Sequence, residues 1–251
     1  MSKIIDAHLH FPNDKQLPTL IAQLNQNNIE KCVLILNTKD DQDIFLSQFA
    51  YFLEHKHRFG IALGFHYKEK YHLECAKMLE QNNIPYAIKL HSRLMQYIKQ
   101  DIPAILQMIH TNKAQNIIVD GFAYGHHLEY LIGLELLIAL ANEFPCKNII
   151  YAHSGGIDIL KTMLLTRTLS NVRYDLSLTV PYLFRTSVYA DILQFIKYNH
   201  SKIMFGSDSP DFTIEFALEK FAKVFDALQL NKETKKAILY QNALSIYKEI
   251  F

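Results

Sequence analysis

The chain has 251 residues, of which 49% are apolar and 20% are charged. A chain of this length and composition can bury one large core, so we predict a single domain that spans residues 1–251. The formal net charge is +1, and no run of basic or acidic residues is long enough to indicate a nucleic-acid arm or an acidic tail.

The cysteines and the apolar stretches bear on the compartment. Cys32, Cys75 and Cys146 are odd in number and far apart, so we predict packed thiols in a reducing compartment rather than a disulfide framework. Only two apolar residues separate Lys3 from Asp6, too few for the core of a signal peptide. The longest apolar stretch, 130–141, is much shorter than the ~20 residues of a membrane span. We therefore expect a cytoplasmic protein with a small-molecule substrate and with neither a nucleic-acid nor a membrane partner. Nothing in the sequence indicates its oligomeric state.

Along the chain, short runs rich in Ile, Val and Leu alternate with longer stretches of helical period. The predicted strands are 3–7, 31–36, 58–65, 85–90, 116–119, 147–152, 171–175 and 202–205. This alternation is typical of βα units around a parallel sheet, and near-continuous apolar strands fit a sheet that is covered on both faces. Eight such units predict the α/β class and a single (β/α)8 TIM barrel.

The last βα unit and the residues after it predict two helices. Apolar residues recur at three- and four-residue steps between Ile214 and Leu228, which indicates a helix with one buried face. Ser209-Pro210 suits the start of that helix, because serine can cap free amides and proline tolerates the first turn. A further amphipathic segment at about 232–248 predicts an extra C-terminal helix on the outside of the barrel.

The chemistry of TIM barrels lies at the carboxyl ends of the strands, so residues that end a predicted strand are the first candidates for a site. His8 and His10 leave the first strand two residues apart and therefore point the same way. Two imidazoles on one side of a cation leave positions for a carboxylate and a water, which a catalytic zinc-type site requires. His55 and His57 have the same spacing but precede the third strand, so we expect them on the opposite face of the barrel, at a solvated helix end.

Two further strands end in residues that suit the same chemistry. Asp208 ends the last strand, with Gly206 leaving room beneath it, and this strand adjoins the first when the barrel closes. The Asp208 carboxylate could bind a metal and also take a proton from the attacking water, and an N-cap of the next helix is a second, compatible role. His153 ends the sixth strand before Gly155 and Gly156, which permit a tight turn. Its ring could bind a metal or donate a hydrogen bond to a substrate carbonyl, with a structural role as the alternative.

Four fragments together resemble the amidohydrolase superfamily, and specifically its branch of amidohydrolase-related TIM-barrel hydrolases and decarboxylases. The fragments are Asp6-Ala7-His8-Leu9-His10, Ala152-His153-Ser154-Gly155-Gly156, Phe205-Gly206-Ser207-Asp208-Ser209-Pro210 and Ile238-Leu239-Tyr240-Gln241-Asn242-Ala243. They extend over nearly the whole chain, and their combination is more specific than any one of them.

The resemblance implies a metal centre at the mouth of the barrel. His8 and His10 would bind a divalent metal ion, usually zinc, and Asp208 would be both a ligand and the general base. His153 would bind the metal or polarise a group beside it.

The resemblance also implies substrate-binding residues at the ends of neighbouring strands. Lys89 and His91 match the position where this branch often carries a Lys followed by Leu-His, and they would orient an anionic or carbonyl group. An ion pair inside the barrel rim is the alternative role of Lys89. His66, which ends the third strand, is a further candidate. The loop residues that are candidates for the pocket are Tyr124, Tyr182 and Arg185.

The chain departs from the family pattern at the end of the fifth strand, where the family usually supplies a histidine and this chain has Asp120. Asp120 could serve as an oxygen ligand, which would shift the preference from zinc toward a harder metal such as manganese. Alternatively, His126 or His127 could reach in from the loop, or the site could hold no metal, as is known for some lactonases of this branch. The expected cofactor is one divalent metal ion, zinc in the first place and manganese as the alternative.

The first functional prediction is metal-dependent hydrolysis of an ester, lactone or amide of a small molecule. Non-oxidative decarboxylation of an aromatic or enoic acid, a lyase reaction, is the alternative that the same branch implies.

TatD-like phosphodiesterases also open with Asp-x-His-x-His, but they usually carry a Glu ahead of the final Thr-Asp, where this chain has Gly206-Ser207-Asp208. The charge balance also lacks the basic stripe that favours a phosphate backbone. A barrel that only binds is the remaining alternative, because a fold alone does not give a function.

Overall fold

The computed structural model describes residues 3–251. Eight parallel strands follow one another in a single sheet in chain order, so that each strand pairs with the next. The strands are β1 (Ile4–Leu9), β2 (Ile29–Leu36), β3 (Phe59–Gly64), β4 (Tyr86–Leu90), β5 (Asn116–Asp120), β6 (Asn148–Ala152), β7 (Val172–Asp175) and β8 (Ile203–Met204). Each one overlaps a predicted strand, and the predicted TIM barrel is confirmed.

The barrel closes between β1 and the residues that follow β8. The Ala7 amide donates to the Phe205 carbonyl at 2.9 Å, and the Asp208 amide donates to the His8 carbonyl at 2.9 Å. These backbone hydrogen bonds join the two ends of the sheet. They also bring the end of the chain's last strand to the carboxyl end of its first.

Helices connect the strands and follow the last one. They are α1 (Leu17–Gln26), α2 (Lys39–Ser47), α3 (Phe49–His55), α4 (His72–Gln81), α5 (Ile102–His110), α6 (Gly133–Glu143), α7 (Ile159–Thr166), α8 (Thr179–Leu183), α9 (Tyr189–Asn199), α10 (Ile214–Ala227), α11 (Lys232–Lys236) and α12 (Asn242–Ile246). Within residues 3–251, none of them has the length and apolar character that crossing a membrane requires.

Helix α10 matches the predicted periodic segment but begins later than predicted. Its N-cap is Thr213, whose hydroxyl accepts a hydrogen bond from the Phe216 amide at 3.2 Å. Ser209 does not cap this helix, because its carbonyl accepts the His10 amide at 2.8 Å and so belongs to the seam between β1 and β8. The predicted helix start at Ser209-Pro210 is therefore wrong.

Strand side chains of alternating direction fill the interior of the barrel. The buried strand residues of this interior cluster are Ile5, Ala7, Val33, Ile35, Ala62, Ala87, Ile118, Ile150, Ala152 and Met204. The other apolar strand residues pack outward against the helices in a separate, larger cluster. The lower barrel is thus a solid apolar core, which leaves the polar chemistry to the carboxyl ends of the strands.

The C-terminal segment closes the bottom of the barrel and does not lie on its outside, contrary to our prediction. Tyr247 and Ile250 are buried members of the interior cluster. A Cβ atom built on Gly60, near the start of β3, would lie only 2.8 Å from Ile250 Cδ1. The alanines of the interior leave room for these larger side chains. The extra C-terminal helix is therefore present, but it seals the amino-terminal mouth.

A π-helical turn, Ala237–Gln241, lies between α11 and α12. Its Ile238 carbonyl accepts the Phe205 amide at 3.0 Å. Because β8 has only two residues, the amide of Phe205 needs an acceptor outside the sheet, and the wider turn supplies one.

Candidate active site

Three buried side chains converge at the carboxyl end of the barrel. The ligand atoms of His8, His153 and Asp208 all lie within 4.8 Å of one another, and within residues 3–251 no other trio of His, Cys, Asp or Glu does so. The rings of His8 and His153 have centroids 4.7 Å apart. Residues that are 200 positions apart in the chain, counting from His8 to Asp208, thus share one site.

The seam of the barrel places Asp208 beside both histidines of the first motif. Its Oδ1 atom lies 3.4 Å from His8 Nε2 and 3.5 Å from His10 Nε2. Asp208 has a φ of 60°, in the left-handed region that is costly for a residue with a side chain. A Cβ atom on Gly206 would lie 2.9 Å from His8 Cβ. The glycine therefore makes room for His8, and our prediction that it makes room for Asp208 is wrong.

A strained turn presents His153. His153 and Ser154 have φ values of 58° and 50°, and the hydroxyl of Thr179 donates to the His153 carbonyl. The predicted tight turn at Gly155 and Gly156 is confirmed: both have positive φ, and a Cβ atom on Gly155 would lie 2.4 Å from the Thr162 hydroxyl oxygen. Because this backbone conformation costs free energy, neighbouring hydrogen bonds must hold it.

Asp175, which sequence reasoning missed, touches both buried histidines. His8 Nδ1 donates to Asp175 Oδ2 at 3.0 Å, and the His153 amide donates to Asp175 Oδ1 at 3.1 Å. The signal was present in the sequence, because Asp175 ends the predicted seventh strand just as Asp208 and His153 end theirs. No family motif marks this position, and only the rule of strand ends could have found it.

The ring nitrogens of the two histidines are oriented by their partners. His153 Nδ1 lies 3.0 Å from both the carbonyl and the hydroxyl oxygen of Ser177, and His8 Nδ1 faces a carboxylate. Both rings therefore carry a proton on Nδ1 and direct Nε2 into the site. His8 Nε2 is buried and has no hydrogen-bond partner within the described part of the chain.

Asp120 lies in the site on the side of His153. Its Oδ1 atom is 3.4 Å from His153 Nε2, and its Oδ2 atom is 3.6 Å from His91 Nδ1. Asp120 and His91 are both buried. The structure thus brings Asp120 next to His153 but outside the compact trio, and the prediction that it ligates a metal stays a prediction.

Lys89 is a buried side chain in the wall of the site. Its side chain is 1% exposed, and its Nζ atom has no hydrogen-bond partner among residues 3–251. With Nζ unpartnered, no hydrogen-bonded ion pair of Lys89 is present among those residues, and the alternative role as a rim ion pair is not seen. Burial lowers the pKa of Lys89, while the charges of three carboxylates oppose this shift. These carboxylates are Asp120, Asp175 and Asp208.

Opposing charges shift the other titratable groups. Burial lowers the pKa of His153, but the charges of Asp208 and its neighbours outweigh burial and raise it to about 9. Burial and the charge of Lys89 lower the pKa of His8 to about 4. Burial alone would raise the pKa of Asp208, but His153, His10 and His8 hold it well below its usual range. The Asp208 carboxylate is therefore ionised at neutral pH, as are those of Asp120 and Asp175, whose pKa values are also lowered, and His8 is neutral.

The donor set fits a divalent metal ion. Tetrahedral ligands at zinc-type bond lengths are roughly 3.3–3.6 Å apart, which matches the 3.4 Å and 3.5 Å that separate Asp208 Oδ1 from the two Nε2 atoms. His8 Nε2 has no other partner. The carboxylates outnumber the cations of the site, so a buried positive charge would be stabilised there.

The remaining candidates lie around this centre. His66 Nδ1 accepts the amides of Lys68 and Glu69 and so organises its own loop. His126 and His127 lie on an exposed loop, where their rings contact each other. His55, of the second His-x-His pair, hydrogen-bonds the Tyr51 carbonyl at the amino-terminal side of the barrel.

Aromatic side chains form part of the rim. The Phe122 ring lies edge-on to His153 with centroids 6.0 Å apart, and the rings of Tyr124 and Tyr182 each lie 5.9 Å from Phe122. Arg185 packs instead over Phe184. Two of the three loop candidates thus adjoin a residue that touches the site.

The fold is a TIM barrel that carries a cluster of histidine and aspartate side chains at the carboxyl ends of its strands. The family model described as amidohydrolase matches residues 109–248, more than half of the chain, and the chain belongs to this family. This confirms the predicted resemblance. The search of curated proteins gives no match.

Solved structures show the same fold. An uncharacterised TIM-barrel protein of Bordetella bronchiseptica has 14% identity and a TM-score of 0.73, with 99% of each chain covered. The 5-carboxyvanillate decarboxylase of Sphingomonas paucimobilis has 11% identity and a TM-score of 0.54, with 99% of this chain and 100% of that chain covered. A TatD-family hydrolase of Entamoeba histolytica has 11% identity and a TM-score of 0.51, with 98% and 99% covered.

Proposed function

We propose that the protein is a metal-dependent hydrolase that cleaves an ester, lactone or amide bond of a small molecule. The observation that carries this proposal is the position of Asp208, whose Oδ1 atom lies within 3.5 Å of the Nε2 atoms of both His8 and His10. A carboxylate and two imidazoles in this arrangement suit both metal binding and the deprotonation of water.

In this proposal His8, His153 and Asp208 would hold the ion, and His10, which lies against Asp208, would be a further donor. A bound divalent ion supplies positive charge that makes water acidic near pH 7 and stabilises negative charge on a carbonyl oxygen. Zinc is the proposed ion, because imidazole nitrogens dominate the donor set. Manganese is the alternative if the oxygen of Asp120 joins them.

The protein's own groups would move the proton and orient the substrate. Asp208, ionised at neutral pH, accepts the proton of the attacking water and then gives it to the leaving group. His153 Nε2 faces the site and would be a ligand of the ion after losing its proton. Lys89 and His91 orient the substrate, and the unpartnered Nζ atom of Lys89 supports a substrate with an anionic or carbonyl group.

Decarboxylation is the second candidate, and Lys89 is the observation that favours it. A buried ammonium group without a partner would hold a substrate carboxylate within the same site. Measuring released carbon dioxide against released acid and alcohol separates the two reactions.

The test compares variants of the site with a control variant of the His55/His57 pair, which has the same spacing as His8/His10. We expect Asp208→Asn and His8→Asn to reduce turnover of the best ester, lactone or amide of a substrate panel by about 10²–10⁴-fold, with unchanged circular dichroism. His55→Asn, which alters the pair on the opposite face of the barrel, should leave turnover unchanged. If both site variants retained activity, these residues would have to be removed from the mechanism. A large loss in His55→Asn would mean that the catalytic face is assigned to the wrong end.

A further inference from the structure

We propose that Asp175 is the positioning residue of the centre, which sets the ring orientation and the tautomer of His8 and holds the strained turn of His153 at the same time. The role goes beyond the predicted ligands, since Asp175 itself lies outside the trio that faces the ion. It rests on the metal centre of the proposed function.

Asp175 fixes the ring of His8 through a direct contact. Asp175 is 1% exposed, and its Oδ2 atom accepts from His8 Nδ1 at 3.0 Å. An aspartate carboxylate oxygen accepts at such a contact, so the ring proton of His8 lies on Nδ1. The lone pair of Nε2 is then directed at Asp208, where a metal ligand needs it.

Asp175 also contacts the turn after β6. Asp175 Oδ1 accepts the His153 amide and the Ser177 amide, each at 3.1 Å, and also the Ser177 hydroxyl. The Ser154 hydroxyl donates to the Asp175 carbonyl at 2.6 Å. These bonds connect β7 to the residues with positive φ, and they offset the conformational cost of presenting His153.

One side chain thus couples ligands from β1 and β6. Ser177 completes the connection, because its hydroxyl donates to Asp175 and lies 3.0 Å from His153 Nδ1. The two rings that face the ion therefore depend on a single buried carboxylate, and a change there should alter metal affinity without removing a ligand.

Asp175→Asn is a sharp test because the structure determines how the amide must lie. Two backbone amides point at the Oδ1 position, so the amide oxygen must remain there and its NH₂ group must face His8 Nδ1. His8 would then have to accept at Nδ1 and carry its proton on Nε2, facing the centre. The shape is kept, while the tautomer of His8 is inverted.

The experiment measures metal binding to the metal-free protein by competition with a chromophoric chelator, using Zn²⁺ and Mn²⁺. We expect Asp175→Asn to weaken affinity by about 10–100-fold, with the fold retained by circular dichroism. Ser177→Ala should have a smaller effect, because the Ser177 carbonyl still accepts from His153 Nδ1. Asp101→Asn is the matched control: Asp101 is also buried and accepts the Ile98 amide. Wild-type affinity in Asp175→Asn would overturn the proposal.

A second measurement does not depend on metal. Long-range ¹H–¹⁵N spectra of labelled histidines, with His8 assigned from a His8→Gln variant, report which ring nitrogen is protonated. We expect Nδ1 in the wild type and Nε2 in Asp175→Asn, and a wild-type proton on Nε2 would overturn the proposal. If the wild type binds neither ion, the proposed metal-dependent function fails, and the tautomer alone decides the role of Asp175.

Discussion

The pKa of His153 leads to a quantitative expectation for metal binding. In the metal-free protein burial lowers this pKa, but the charge of Asp208 and its neighbours outweighs burial and raises the pKa to about 9. A metal that uses His153 Nε2 must displace the proton that this nitrogen carries below that pH. His8, with a pKa of about 4, is already neutral. Apparent affinity should therefore rise about tenfold per pH unit between roughly pH 7 and 9, a gain of about 100-fold.

The assay is titration calorimetry with Mn²⁺ in two buffers of different ionisation enthalpy at about pH 7.5. We expect close to one proton released per ion bound. Release of no protons at this pH would refute the reasoning, because it would mean that His153 is neutral in the free protein or takes no part in binding. His55→Asn serves as the control and should release the same number of protons as the wild type.

The same pKa makes stability depend on pH. A histidine whose folded pKa is raised above its unfolded value contributes stability that is fully present below about 6.5 and is lost as the pH rises through about 9. The loss is at most on the order of 3 kcal/mol, and urea unfolding of the metal-free protein at a series of pH values would measure it. A free energy of unfolding that rises over this range would contradict the shift.

Further expectations concern the C-terminal segment that closes the barrel, the seam between β1 and β8, and the fifth strand. Tyr247→Phe should raise the free energy of unfolding by about 1 kcal/mol, because the buried Tyr247 hydroxyl has no partner within residues 3–251. Tyr247→Ala should lower it by about 3–5 kcal/mol through the cavity it leaves, and equal urea midpoints for the two variants would contradict the packing. Gly206→Ala should cost about 1–3 kcal/mol and weaken Zn²⁺ binding, since its Cβ would displace His8. Asp120→Ala should lower the metal content measured by mass spectrometry if Asp120 is a ligand, and unchanged content would remove that role.

The sequence predicted the barrel well because each strand carries its own signal. A run of Ile, Val and Leu between helical stretches is a local pattern, and the parallel barrel follows from repeating it eight times. The meeting of His8 and Asp208 was also predictable, since closure of the barrel brings the last strand to the first. The amidohydrolase motifs added the identity of the residues at those ends.

Features that depend on tertiary context were not predictable in the same way. The amphipathic pattern of the last helix shows that one face is buried but not against what, so the sealing of the lower barrel by Tyr247 came only from the structure. Ser209 and Thr213 are both good capping residues, and the seam hydrogen bond of Ser209 decides between them. Asp175 resembles any strand-ending aspartate until its distance to His8 is known.

Asp120 replaces a neutral imidazole of the family pattern by a carboxylate, and two roles for it can be separated by pH. If Asp120 acts only through its charge, Asp120→Asn should lower the pKa of His153 and flatten the rise of metal affinity between roughly pH 7 and 9. If Asp120 also binds the ion, the same variant should weaken Mn²⁺ binding even at about pH 9.5, where the proton on His153 no longer competes. Wild-type affinity at the high pH together with a flatter slope would assign Asp120 to the electrostatics of His153. A weaker affinity at the high pH with an unchanged slope would make Asp120 a ligand. The unchanged slope would mean that Asp120, although 3.4 Å from His153 Nε2, does not alter the pKa of that ring.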